Sequence, residues 1–581
     1  MSQKGGEFAS GAEASDSLDD RAGSRQSRAS PPFPMSARSR LALLALVPLL
    51  SASLPADPPV TDRLGTIHFA VAGDAVVGDH VVRGVKLLHH MMYDEADREF
   101  AAALAADAGC AFAYWGRAMT IVHPLWPDVP DAAGLKLGLD YVNAGLAHTP
   151  KTARERAYLG TMDAYFRDAA NRDLPTRLKA VDGAWSHVAA QFPNDLDAAA
   201  FSALFHLAPA RFLPKDKSHR IQLESAAIIQ GILAQIPDHP GAMHYKIHAY
   251  DFPLLAGRAL EVCDSYGTIA PEVPHALHMP THIFTRQGLW EKSIEFNERS
   301  AEEARKLARA DGATNSHLPH ALDYLAYAYL QRGQYGKVEA ILREVRTATG
   351  PYQPSNRPAM AFAFAAIPAR LALERHDWAA AAQLELRRPA SFPWTDSFLY
   401  CDGITRFARA LGAVRGGNVE AARREIGEQE RLRDRIAAAL PNAYWTSQAD
   451  VQLLTARGWL ALQEGNRDAA LAAMRRAVEL EATTDKEAVT PGEVLPAGEL
   501  LGEMLAELGR HREALAAFEA QLAVSPNRFN GLYGAAHAAE LAGEPATAAR
   551  YYGQLVTVAA TADTGNERVS RAKAFLAGGQ N

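Results

Sequence analysis

Apolar positions along the C-terminal half recur three and four residues apart, in blocks separated by short polar corners. That is the 3.6-residue period of amphipathic helices. Gly502 is followed by Ala514, then by the bulky Phe518, and the block closes at Pro526. The same order of small, small and bulky returns at Gly458, Ala470, Met474 and Ala477, again at Ala536, Ala548 and Tyr552, and near the front at Gly84, Ala96, Phe100 and Ala103. A turn residue separates the two blocks of each copy: Gly509, Gly465, Gly543 and, in the front copy, the corner Met92-Tyr93-Asp94. Residues three and four apart share one helix face, so the small ones allow two helices to cross closely and the bulky one fills the space between them. The pattern predicts helical hairpins repeated in series.

Weaker copies span 317–347, turning at Gly333, 358–388, turning at His376-Asp377, and 397–438, turning at Gly416-Gly417. Strand signals are nearly absent, and the Pro-rich breaks at 350–357 and 489–496 read as loops between helical blocks. The fold class expected is all-α, a tetratricopeptide-type helix-turn-helix solenoid wound as a right-handed superhelix. Its parts are an N-terminal repeat (57–130), irregular helical repeats where the period fades (131–235), histidine-rich repeats (236–348), degenerate repeats (358–440) and C-terminal repeats (443–575). In such arrays the first helix of each pair lines the concave face. A protein, a peptide or a small ligand held in that groove is therefore the expected partner.

A chain of 581 residues exceeds one compact domain several-fold, which agrees with repeats. The net charge of −7 comes with no Lys/Arg-rich run, which argues against nucleic acid as a partner. Three scattered cysteines argue against a disulfide framework and leave room for a single bridge. Residues 1–34 are polar and aperiodic and read as disordered, or as a misassigned start ahead of Met35. Residues 35–56 read as a signal peptide: Arg38 and Arg40, the apolar run Leu41–Leu50, then small residues Ser51-Ala52-Ser53. The run is short for a bilayer span. The chain is thus expected to be periplasmic or secreted, and not an integral membrane protein after signal cleavage.

Candidate chemistry gathers between 239 and 320, which holds eight of the 20 histidines. His244 and His248 are one helical turn apart, with Asp251 on the same side. His275, His278 and His282 follow at intervals of three and four, with Arg286 next on that face. His317 and His320 are three apart, and Asp323 and Tyr327 continue their face. Each group opens a first helix, so three histidine-bearing faces are brought side by side. Pro280 places a kink or a late helix start between His278 and His282. Several imidazoles near one carboxylate suit Zn, Cu, Fe or Ni, and two histidines at i and i+4 chelate from one helix. The metal ligands expected are His244, His248, His278 and His282, with Asp251 or Tyr245 behind them. The same spacing also serves a polar ligand-binding groove, or a packed polar network without a ligand.

Three segments, AYWGRAM followed by HPLW, HPGAMHYKIHAYD and HMPTHIFTRQGLW, resemble a family of bacterial tetratricopeptide repeat proteins. The resemblance runs from about Gly84 to Ser300. Departures are small: Met243 and Lys246 in the second motif, and Thr281 where the family has Ser. The resemblance implies the repeat fold and an exported or unassigned location, and names no reaction. It adds His123 and Trp126 to the candidate patch, while Trp115 of the same motif set reads as packing.

Two functions follow. The first is an exported scaffold that binds its partner through the histidine-rich patch. The alternative is a metalloprotein, with any catalysis being metal-dependent and of unnamed reaction. No P-loop, dinucleotide fingerprint, nucleophile elbow, CxxC or H-E-x-x-H motif is present. Cys263 falls on a second helix and reads as a buried structural residue.

Overall fold

The computed structural model describes residues 63–578, apart from 149, 151, 214, 441 and 442. The stretch read as disordered (1–34) and the signal peptide (35–56) lie outside the described residues. The described chain is all-α, a series of helices from Ala75–His89 to Glu567–Gly578. No strand occurs among the described residues beyond one isolated bridge, between Thr314 and Tyr352.

Each predicted period folds as a hairpin. Ala75–His89 pairs with Tyr93–Ala106, Ala443–Gln463 with Arg467–Glu481, Ala497–Glu507 with His511–Val524, and Phe529–Leu541 with Pro545–Val558. The bulky residue keys two hairpins together. A methyl group added at Gly84 or Gly116 would meet the Phe100 ring at 2.7 and 2.4 Å. Phe518 sits in the same way between Gly502 and Gly534, where the distances are 2.7 and 2.3 Å. One buried ring thus touches the first helix of its own hairpin and that of the next, which contributes about 2–3 kcal/mol per ring. Gly465 and Gly509 close their turns at φ +84° and +73°, where a side chain would clash with its own backbone.

Between 131 and 235, where the period fades, helices still alternate: Ala132–Ala147, Ala153–Phe166, Leu174–Gln191, Leu196–Leu207 and Arg220–Leu233. Here the joints are made by caps and aromatic rings instead of small–bulky keys. Thr152 and Glu155 form a capping box, and Asp173 and Asp195 cap the next two helices. Trp115, fully buried, packs edge-on to Tyr158 and Trp185, as expected of a packing residue. The pair expected over 358–388 is lopsided, because its second helix shrinks to Trp378–Ala382.

The first helices Pro240–Tyr250, Pro274–His278, Pro280–Arg286, His317–Gln331 and Arg357–Glu374 pack beside one another and form a wall. The loop between Glu481 and Ala497 crosses this wall. The Tyr324 hydroxyl donates to Thr490 O at 2.8 Å, and Arg370 Nη2 donates to Gly492 O at 2.8 Å. Lys486 Nζ reaches Asp251 Oδ2 at 2.5 Å. No helix among the described residues is long and apolar enough to cross a membrane.

Candidate metal centre

Pro240 at the first turn starts the helix that carries His244 and His248, and a proline costs nothing there because the first N–H groups lack partners anyway. One turn apart, the two rings bring Nε2 to Nε2 at 3.1 Å. The next two helices divide at Pro280, yet Met279 keeps helical angles (φ −55°, ψ −40°). His278 and His282 therefore remain on one face, with Nε2 to Nε2 again at 3.1 Å. Two nitrogens each about 2.05 Å from one ion lie about 2.9 Å apart at a right angle and about 3.3 Å apart at the tetrahedral angle. Both pairs fall in that range.

The four expected ligands do not form a single set. The nitrogens of His278, His282 and His320 lie within 4.8 Å of one another, and so do those of His244, His248 and His275. The division follows from helix geometry. His275 precedes His278 by three residues and turns towards His244, with ring centroids 5.0 Å apart. His320, on the next first helix, meets His278 at 4.3 Å.

Hydrogen bonds fix the tautomers of His278 and His282 in the first triad. Asn297 Nδ2–H donates to Ser293 O at 2.9 Å, which turns its Oδ1 to accept from His278 Nδ1–H at 2.8 Å. His282 Nδ1–H donates to Asp251 Oδ2 at 2.9 Å. Burial alone would raise the Asp251 carboxyl, but Lys486, Arg286 and His282 outweigh it and hold it well below the usual carboxylate range. A neutral imidazole has one donor and one acceptor nitrogen. With both Nδ1 atoms donating, His278 and His282 turn two lone pairs at each other across 3.1 Å. Burial, then neighbouring histidines, holds His278 and His320 well below the ordinary imidazole value, and burial followed by Lys486 lowers His282. The rings are therefore neutral at neutral pH, the form that binds a metal.

Other expected residues are placed as follows. His123 is held by Asp128 at 2.6 Å and stacks on Tyr93, and Trp126 lies edge-on to His275 and His317. The HPLW stretch thus does reach the patch. Arg286 pairs with Asp251 at 3.0 Å. His317 is buried with Nδ1 unpartnered. Asp323 binds Arg370 at 2.6 Å, and the Tyr327 hydroxyl accepts from Arg528 at 2.6 Å, both within buried ionic networks. Tyr245 does not stand behind these ligands, because its hydroxyl bonds His89 Nδ1 at 2.9 Å. Cys263 is buried, with burial pushing its thiol well up.

Sequence reasoning missed Asn297, Tyr324, Lys486 and His89. Asn297 and Tyr324 face the histidines, but amide and phenol side chains at those positions read as ordinary helix residues. Lys486 arrives from a loop more than 200 positions away. A cavity of about 640 Å³ adjoins the patch and is lined by His248, Asp251, Phe252, Arg211, His219 and Lys486 among others. His248 is the ring of the two triads that borders it.

No family model matches this chain. No curated protein matches it either. Among solved structures, a human IFIT1 dimer with PPP-AAAA is similar at 12% identity and TM-score 0.32, over 84% of this chain and 92% of that one. Yeast Tom70 is similar at 12% identity and TM-score 0.31, over 87% and 96%. The APC/C hetero-tetramer Cut9-Hcn1 follows at 12% and 0.29, over 87% and 97%. Likeness at this level carries nothing about function, and the repeat fold rests on the hairpins described above.

Proposed function

We propose that this chain is a metalloprotein that holds a transition metal ion at His278, His282 and His320, inside a helical-repeat scaffold. One observation carries the reading. His278 and His282 both use Nδ1–H as a donor, so their Nε2 lone pairs oppose each other at 3.1 Å with no proton between them. An ion between them turns that repulsion into two bonds. Asp251 and Asn297 then act as the outer partners that orient ligating histidines. An all-imidazole set of this kind suits Zn, Cu, Fe or Ni. In this reading the chain is an exported member of the bacterial repeat family whose motifs it carries.

The test is elemental analysis of untagged full-length protein beside a His278→Ala/His282→Ala variant. The result expected is bound transition metal in the wild type and loss of the ion at this triad in a variant that keeps its helical circular dichroism. Absence of metal from wild-type protein, including after incubation with Zn²⁺ or Cu²⁺ and desalting, would refute the proposal.

The cavity beside His248 and Asp251 supports a second reading, a small-ligand pocket. At the histidine patch the wall of first helices is covered by the loop 482–496, so a ligand would enter there through the cavity. Arg211 at its side already binds Glu487 at 3.4 Å, and Phe252 and Leu125 supply apolar lining. Thermal-shift screening with small carboxylic acids and amines, against His219→Ala and Phe252→Ala, tests it. Shifts that survive both substitutions would exclude this cavity.

A further inference from the structure

Three clusters of ligating side chains occur among the described residues: the triad assigned above, His244 with His248 and His275, and His89 with Asp197 and His239. The last is closed to an ion by its own bonds. His89 Nε2–H donates to Asp197 Oδ1 at 2.9 Å, and its Nδ1 accepts from the Tyr245 hydroxyl at 2.9 Å, which leaves His89 no free lone pair.

We infer that the patch has two metal positions, and that His244, His248 and His275 hold the second. This rests on the metalloprotein reading of the neighbouring triad. His244 Nδ1–H donates to the backbone carbonyl of His89 at 2.7 Å, so its Nε2 is a lone pair. That lone pair faces His248 Nε2 at 3.1 Å. A proton on His248 Nε2 would also bridge this pair, so the pair alone decides nothing.

His275 decides it. Its side chain is 2% exposed, and neither ring nitrogen has a hydrogen-bond partner. A buried polar group left unpaired costs about 1–3 kcal/mol. The rings of His244, His317 and Trp126 lie 5.0, 5.1 and 5.6 Å from it between centroids, and none of them supplies a bond to it. A metal ion shared with His244 and His248 gives His275 the partner it lacks. All three nitrogens lie within 4.8 Å of one another.

The two triads share no residue but share elements. His275 and His278 stand on one short helix with ring centroids 6.1 Å apart, and His248 and His282 face each other at 6.0 Å. The two ions would therefore be neighbours. They differ in access. His278, His282 and His320 are buried, whereas His248 is only partly buried and lines the cavity. The second position is the one that meets incoming ligand.

The test is titration of metal-free, untagged full-length protein with Co²⁺, followed by its visible spectrum and by elemental analysis after desalting. Wild type is expected to bind two equivalents. His244→Ala/His248→Ala and, separately, His275→Gln are expected to retain one tight equivalent, with the spectrum of the His278 triad. His275→Gln keeps an amide of similar size, and serves if the double variant does not fold. One equivalent in wild type, kept in His275→Gln and in the double variant, overturns the second position and leaves the first reading standing. One equivalent in wild type that is lost in either set of variants overturns the pair of positions and the first reading with it, because the single ion then depends on residues outside the His278 triad. No bound metal at all fails both.

Discussion

Replacing Asn297 with Leu tests the centre through a residue that would touch no metal. Asn297 is fully buried, and its Oδ1 is the acceptor that holds His278 in the Nδ1–H tautomer. Leu fills the same space without an acceptor. His278 can then place its proton on either nitrogen, and in one of the two tautomers Nε2 no longer ligates. Losing such an outer partner costs about 10–100-fold in metal affinity. That fold-change corresponds to about 1.4–2.7 kcal/mol. The Nδ2–H bond to Ser293 O is lost as well, which lowers fold stability by about 1 kcal/mol. Competition for Zn²⁺ against a chromophoric chelator at pH 7.5 reads the affinity, and circular dichroism checks the fold. Thr281→Val is the control: Thr281 Oγ1 donates to His278 O at 2.7 Å and only grazes Asn297 Oδ1 at 3.4 Å, so its loss leaves the Asn297 acceptor and the ring tautomer in place. A natively folded Asn297→Leu protein within twofold of wild-type affinity would refute the assignment of His278 as an oriented ligand.

Other consequences concern the fold, and a last one the metal. Burial, and then the charge of Asp94, raises Glu95 from 4.5 to about 7. Glu95 ionises above 4.5 in the unfolded chain but stays protonated in the fold to about 7, so stability present at low pH is lost as pH rises through this window. Glu95→Gln should therefore stabilise by roughly 3 kcal/mol at pH 8 and hardly at all at pH 4, read from denaturant midpoints at the two values. Gly116→Ala sets a methyl group 2.4 Å from the buried Phe100 ring, and should destabilise by about 1–3 kcal/mol through overpacking. Gly160→Ala, with nothing within 4 Å, should instead stabilise by up to about 1 kcal/mol through helix propensity. Lys486→Met removes a cation that sits 2.5 Å from Asp251, so Zn²⁺ should bind about tenfold tighter in the same competition assay.

The hairpins were legible because the forces that make them are local. Helix period, turn glycine and the Gly–Phe key all act within some 35 positions, so Gly502, Ala514 and Phe518 announce their hairpin in the sequence. For the same reason the pairs His244/His248 and His278/His282 were readable: any two residues four apart on a helix share a face, whatever the rest of the chain does. The partners of those pairs were not readable. Phase along one helix turns His275 towards His244 and leaves His278 to His320, and that choice depends on how neighbouring first helices pack. The His89 carbonyl that orients His244 comes from 155 positions away, and Lys486 meets Asp251 across 235. Between 131 and 235, caps and aromatic rings replace the small–bulky key, so the period faded although the helices did not. The sequence alone determined the repeat and the helical faces on which the histidines stand. Tertiary packing decided which of those faces meet, which lone pairs are left opposed, and which loop covers them.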